Sequence, residues 1–169
     1  MKRWIIIPAL LATLYSCGQG QKKKQEYPMQ VGDIYFNSKI DDPDFKVCDD
    51  NNVLQYYNFG NGIQYEGEKL AINKYFIGEL KSKGLKKDTG YITIRFIVNC
   101  EGRLGRFRVQ EMGNDFNEKE FSSDLKNQLL NLTKGMSGWM VGEHQGKSYD
   151  YYQYLTFKVE GGSLVEIMP

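Results

Sequence analysis

Few residues in this 169-residue chain are placed to do chemistry, and their spacing limits what they can do. There are three cysteines, Cys17, Cys48 and Cys100, and a single histidine, His144. A metal site built from cysteine and histidine needs ligands paired at short, fixed spacings, and these four residues are scattered. No G-x-S-x-G elbow, H-E-x-x-H helix or P-loop is present. His144 stands in a Gly-flanked loop beside Glu143, where an imidazole is ordinarily just solvated. The acids Asp41, Asp42, Asp44, Asp49 and Asp50 lack the D-x-[DN]-x-[DN]-G spacing and closing glutamate of a calcium loop, so they read as solvated loop acids. Glu111, Asp115, Glu118 and Glu120 gather ahead of a helical pattern, where negative charge favours the helix N-terminus. The expectation is a non-enzyme with no catalytic residues, no metal and no cofactor.

Cys17 belongs to a different chemistry. The opening "MKRWIIIPALLATLYSC" has two basic residues, then an apolar run from Trp4 to Tyr15. A dozen apolar residues falls short of the roughly 20 that span a bilayer, and fits a secretory signal. Leu14-Tyr15-Ser16-Cys17 resembles a bacterial lipobox, in which the cysteine is acylated and becomes the new N-terminus. Acyl chains gain about 0.8 kcal/mol per buried CH₂, so several of them anchor a protein stably. Residues 1–16 are therefore read as a signal peptide and Cys17 as the lipidation site. The polar stretch 17–26, "CGQGQKKKQE", is read as a flexible tether. Its lysines, in place of acidic residues, favour a periplasm-facing anchor. The expected localisation is the cell envelope, at the outer membrane in preference to the inner.

Two thiols then remain, in a compartment that permits disulfides. A Cys48–Cys100 bridge is the leading reading, with free or buried thiols as the alternative. Loss of Lys2 and Arg3 takes the formal charge from +1 to −1. Such a balance gives no electrostatic argument for nucleic acid. Aromatic content of 14%, with 12 tyrosines, argues for a folded chain with a β surface.

The elements that would position these groups follow from periodicity. Residues 27–62 form an aromatic, acidic, turn-rich extension, with a turn at Asp49–Asn52 between two β-like runs. Leu70, Tyr75, Phe76 and Leu80, with Ile72 or Ile77, give a helical apolar stripe that Gly84 would stop. "YITIRFIVNCEGRLGRFRV" is a hairpin. Ile92, Ile94, Phe96 and Val98 share one face with Phe107 and Val109, and Arg95, Arg106 and Arg108 point the other way. Phe121, Leu125, Leu129, Leu132 and Met136 predict a second helix, with Asn117 and Glu120 as its start. A Trp-bearing loop, a strand at about 149–159, a Gly161-Gly162 turn and a short last strand complete the chain. Helix, strand, strand, helix, strand, strand is an α+β order, with helices packed on one face of an antiparallel sheet.

From Gly67 to Val159 this pattern resembles the C-terminal domain of TonB and its relatives. The residues that carry the likeness are the helix at Gly67–Leu80, Gly90 before "YITIRFIVN", Gly102, Leu125 and Leu129, Trp139, Gly146 and "YLTFKV". The resemblance implies a periplasmic domain, here 63–169, that binds partner peptides by adding a strand to a sheet edge. The chain departs from energy-transducing relatives in having no Pro-rich spacer and no membrane-spanning anchor. It also carries Trp139-Met140-Val141-Gly142 where many relatives have Trp-x-Pro-Gly. A strand folded back after Gly161-Gly162 would occupy the edge that relatives use.

The outward face of the sheet is expected to carry Arg95, Arg106, Arg108, Tyr152, Tyr154 and Lys158, and with the contact strip Asp150–Tyr154 this makes Arg95, Arg106, Arg108, Tyr151, Tyr152 and Tyr154 the candidate partner-binding residues, since tyrosine is enriched at interfaces. A polypeptide, a glycan, or the 27–62 segment itself are the candidates to cover that face. The expected function is protein–protein interaction in the envelope, in connection with TonB-dependent transport. A structural lipoprotein or a small-ligand module is the alternative.

Overall fold

The computed structural model describes residues 32–60, 62–81 and 88–168. The expected signal peptide, the tether with Cys17, and Gly84 lie outside them. Among the described residues the fold is α+β: two α-helices and a five-stranded sheet, with a separate two-stranded hairpin.

The centre of the sheet is the expected hairpin, β2 (Gly90–Val98) and β3 (Leu104–Met112). The long strand β6 (Tyr151–Glu160) pairs antiparallel with the other side of β2, in unbroken register from Gly90↔Val159 to Val98↔Tyr151. Beyond β6 lie two short strands, one after the other. β7 (Ser163–Met168) pairs antiparallel with its C-terminal half. β1 (Leu54–Gln55) pairs with Tyr151 and Tyr152 at its start, and does so in parallel. The sheet is thus mixed, not purely antiparallel as expected. Leu54 arrives from the opposite direction because residues 32–53 have first crossed the sheet.

Period-2 alternation decides which side chains are buried. Ile92, Ile94, Phe96 and Val98 have 0% exposure on the inner face, beside Leu155, Phe157 and Val159 from β6. Two helices cover that face. α1 (Glu68–Glu79) contributes Ile72 and Phe76, and the Phe76 ring meets Phe157 edge-on at 4.7 Å. α2 (Ser123–Gly135) contributes Leu125 and Leu129. Each such aliphatic or aromatic side chain gains about 1.5–3 kcal/mol on leaving water.

Two details of the helices differ from the sequence reading. Leu70 and Ile77 are 65% and 76% exposed, so the stripe of α1 consists of Ile72 and Phe76, with Tyr75 and Leu80 half-buried. Positions 70 and 77 are two turns apart on one row, and the sheet takes the row holding 72 and 76. α2 starts at Ser123, not near Asn117. Residues 117–119 are held along the end of β3 instead, where Lys119 N–H donates to the Glu111 carbonyl at 3.2 Å. The start of α2 is satisfied from a distance, by the Asp88 carboxylate on Ser122 N–H and the Glu111 carboxylate on Phe121 N–H. Glu111 also pairs with Lys126 at 2.9 Å.

Where the sequence predicts a Trp-bearing loop, a hairpin joins β4 (Gly142–His144) to β5 (Lys147–Tyr149). Its two-residue turn, Gln145-Gly146, has φ of 52° and 75°. Positive φ at both positions matches the twist of a tight hairpin.

Candidate functional site

The outer face of the sheet is where the sequence placed its candidate contacts, and the chain itself covers half of it. Residues 32–53 lie across β6, β2 and β3 and enclose a second small core of Ile34, Phe45, Val53, Ile97 and Tyr152. Gly105 permits this. A Cβ there would overlap the Phe45 ring, so Phe45 rests directly on the backbone of β3. The register runs from Arg95↔Arg108 to Ile97↔Gly105, which leaves one extra residue on β3. Arg106, at φ 53°, belongs to that bulge. Bulges re-aim side chains, and this one brings Arg106 under the cover beside Gly105.

Each arginine is taken up by the covering segment. Arg95 donates to the Gly32 carbonyl. Arg106 donates to Asp50 at 2.8 Å and to the Ile34 carbonyl at 3.3 Å. Arg108 forms a two-pronged pair with Asp41, both contacts at 2.7 Å, and reaches the Tyr35 carbonyl as well. The Asp41 side chain is only 2% exposed. The Arg108 guanidinium hydrogen-bonded to it holds its carboxyl below the usual 3.8, against the opposing effect of burial.

The tyrosines are committed too. Tyr152 sits in the second core, and burial pushes its phenol up to about 12, with Asp33 adding to the shift. Tyr154 takes the edge of the Tyr56 ring at 5.4 Å. Burial, and then that neighbour, raise Tyr56 to about 12. Tyr151 lies on the opposite face, fully buried, donating its hydroxyl to the Met140 carbonyl at 2.8 Å. Here the expectation is corrected. Adjacent strand residues cannot share a face, so Tyr151 and Tyr152 cannot form one contact strip. All six candidates make contacts within the chain, with Tyr151 and Tyr152 buried and the other four half-buried.

Asp150, expected in a contact strip with the tyrosines, instead holds the end of the cover. Its buried carboxylate accepts backbone N–H groups from Cys48, Asp49 and Cys100, all at 2.9 Å. Cys48 and Cys100 form a disulfide with S–S 2.03 Å and Cα–Cα 6.2 Å. One carboxylate therefore grips both ends of the bridge. The two sulfurs and the Asp150 carboxylate lie within 4.8 Å of one another, yet the sulfurs are bonded together and the carboxylate already accepts three N–H groups. Such a set is a fastening and not a ligand cage. The only signal in the sequence was an aspartate just ahead of an aromatic strand, which says nothing of its partners.

His144 and Glu143 are both exposed on β4. Asp115 is hydrogen-bonded to Asn117 within its own turn, which lowers its carboxyl. Asp42 and Asp49 accept from Asp44 N–H and Asn51 N–H, the local turn bonds expected of such residues.

The sheet edges complete the site. The outer edge of β6 is occupied at both ends, by β1 and by β7. β3 is the terminal strand of the sheet, and among the described residues it meets only a single bridge, Met112↔Glu118. A groove of about 540 Å³ opens there, lined by Val109–Met112 and Glu118–Glu120. Arg108 curls back to its neighbour, the Phe107 carbonyl, at 2.8 Å, so one acceptor on β3 is already used. No helix among the described residues is long and apolar enough to cross a membrane. No protein-family model, curated protein or solved structure matches this chain.

Proposed function

We propose that this chain is a non-catalytic, lipid-anchored envelope protein whose domain recognises a protein partner, and that it does so along the β3 edge. The observation that carries the reading is the unequal state of the two edges. β6 is paired on both sides, whereas among the described residues β3 ends the sheet beside an open groove. A strand edge presents backbone donors and acceptors that an extended partner segment can complete. The Glu111 carbonyl faces outward to Lys119, so two residues earlier Val109 turns its backbone the same way.

The order α1, β2, β3, α2, β6 supports kinship with the TonB C-terminal domain. The occupied β6 edge marks a different use of such a domain, with partner recognition moved across the sheet. Leu14-Tyr15-Ser16-Cys17 and the lysine tether support acylation at Cys17 and a periplasm-facing position. A link to TonB-dependent transport is the process this reading favours.

Co-purification from detergent-solubilised membranes tests it. The expected result is a stoichiometric protein partner, lost in Val109→Pro, which removes one outward N–H at an edge where proline is tolerated. A clean monomer that retains a small molecule overturns the reading.

A further inference from the structure

The Cys48–Cys100 bridge fastens the cover, and a buried negative charge stands against it. Asp150 is 1% exposed, and its carboxylate lies within 4.8 Å of both sulfurs. The side-chain bonds it accepts come from the backbone N–H groups of Cys48, Asp49 and Cys100, and none comes from a lysine or arginine. Those donors need an acceptor. A full negative charge beside a disulfide does more than accept.

A disulfide is opened by a thiolate. The incoming thiolate attacks one sulfur, and the S–S bond breaks as the other sulfur leaves as a thiolate and takes up a proton. A second thiolate then opens the mixed disulfide, which leaves two thiols on the chain and the reductant as its own disulfide. Cys48 is exposed and Cys100 half-buried, so attack falls on Cys48 Sγ and Cys100 Sγ departs. Negative charge arrives at one sulfur and gathers on the other. Asp150 is close to both, in a site with little water to screen it, and opposes each stage. A cation beside a cysteine does the reverse, which is how reactive thiols arise.

The other charges near the bridge are of both signs and stand in water. Asp49 and Glu101 are exposed neighbours of the two cysteines, and Glu101 lies 4.0 Å from Arg103. The Lys46 ammonium is turned to the Pro43 carbonyl, and Asp50 is paired with Arg106. Salt screens these exposed groups far more than it screens Asp150.

We infer that Asp150 guards the bridge: its carboxylate repels thiolate reductants, so the cover stays fastened in the presence of thiol–disulfide exchange partners. The cover is then a standing part of the domain and not a redox-operated lid over the arginines. This role does not rest on the proposed function, and its failure would leave the β3 edge untouched.

The experiment follows reduction of the full chain carrying Cys17→Ser, so that only Cys48 and Cys100 react. Cysteamine, a cationic thiol, is compared with mercaptoethanesulfonate, an anionic one. Each rate, per thiolate, is divided by that thiol's rate on a small uncharged disulfide. The chain is expected to react at least about tenfold faster with cysteamine on this scale, and to keep that preference in about 0.5 M salt. Asp150→Asn, which keeps one acceptor oxygen, should lose most of the preference, with the larger gain in rate for the sulfonate. A substitution that only loosened the clasp would speed both thiols alike. Three results overturn the inference: equal rates for the two thiols with Asp150 in place, a preference that salt abolishes, or one that survives Asp150→Asn unchanged. The first two need no variant at Asp150.

Discussion

Arg95 and Arg108 stand directly opposite each other on β2 and β3, two cations on the same face of the sheet. Like charges in that position destabilise a sheet unless something separates them. Here the covering segment does so, with the Gly32 carbonyl on Arg95 and the Asp41 carboxylate on Arg108. The basic face that looked like a binding surface is the half of the molecule that needs its own N-terminal segment. Arg108→Ala leaves Asp41 buried without its partner. The expected loss is about 2–3 kcal/mol by denaturant unfolding, below the value for a fully buried pair because Arg108 is partly solvated. Asp41→Asn should cost less, since it keeps one acceptor for the guanidinium.

The same pair sets an acid limit. The Asp41 carboxyl is lowered from 3.8 in the folded chain. Its contribution to stability is thus fully present above the unfolded-state value and fades as pH falls through the folded one. Melting curves of the wild type should lose stability progressively below about pH 4. Asp41→Asn should flatten that part of the profile, and a parallel decline in both proteins would remove Asp41 as the cause.

Cutting the disulfide should loosen the cover and spare the helix-covered core. With the cysteines separated by 52 positions, the chain-entropy model gives about 4 kcal/mol for the bridge. Cys48→Ala with Cys100→Ala should show that loss, with faster amide exchange across residues 32–53 and little change at Ile92 or Ile94. Asp150→Asn keeps the bridge and removes an acceptor from its three donors, and should destabilise by about 1–3 kcal/mol.

Gly105→Ala tests whether the cover lies flat on β3. The added methyl has to displace the Phe45 ring, so about 1–3 kcal/mol should be lost. Gly161→Ala, with nothing near its Cβ, meets only the strain of its own φ of 58°. If Gly105→Ala proves neutral, Phe45 is not seated there.

The sheet core was legible because alternation is a local signal: Ile92 through Val98 named their own faces. The Cys48–Cys100 bridge could be reasoned from compartment and count. What could not be read were relationships between distant residues. Nothing local ties Asp150 to backbone segments 102 and 50 residues earlier in the chain. Nothing in the run Asp41–Asp50 says that two of those acids answer arginines on β3. The exposed tyrosine strip failed for a simpler reason, since a run of aromatics in a strand must divide between faces. Leu70 and Ile77 looked like core because apolar spacing shows that a row exists and not what it meets.

The central claim is that partner recognition belongs to the β3 edge and not to β6. Photo-crosslinking in the envelope tests it most directly, with a photoreactive residue placed at Gln110 on β3 or at Tyr154 on β6. One discrete protein adduct is expected from Gln110 and none from Tyr154. An adduct from Tyr154 alone would contradict it.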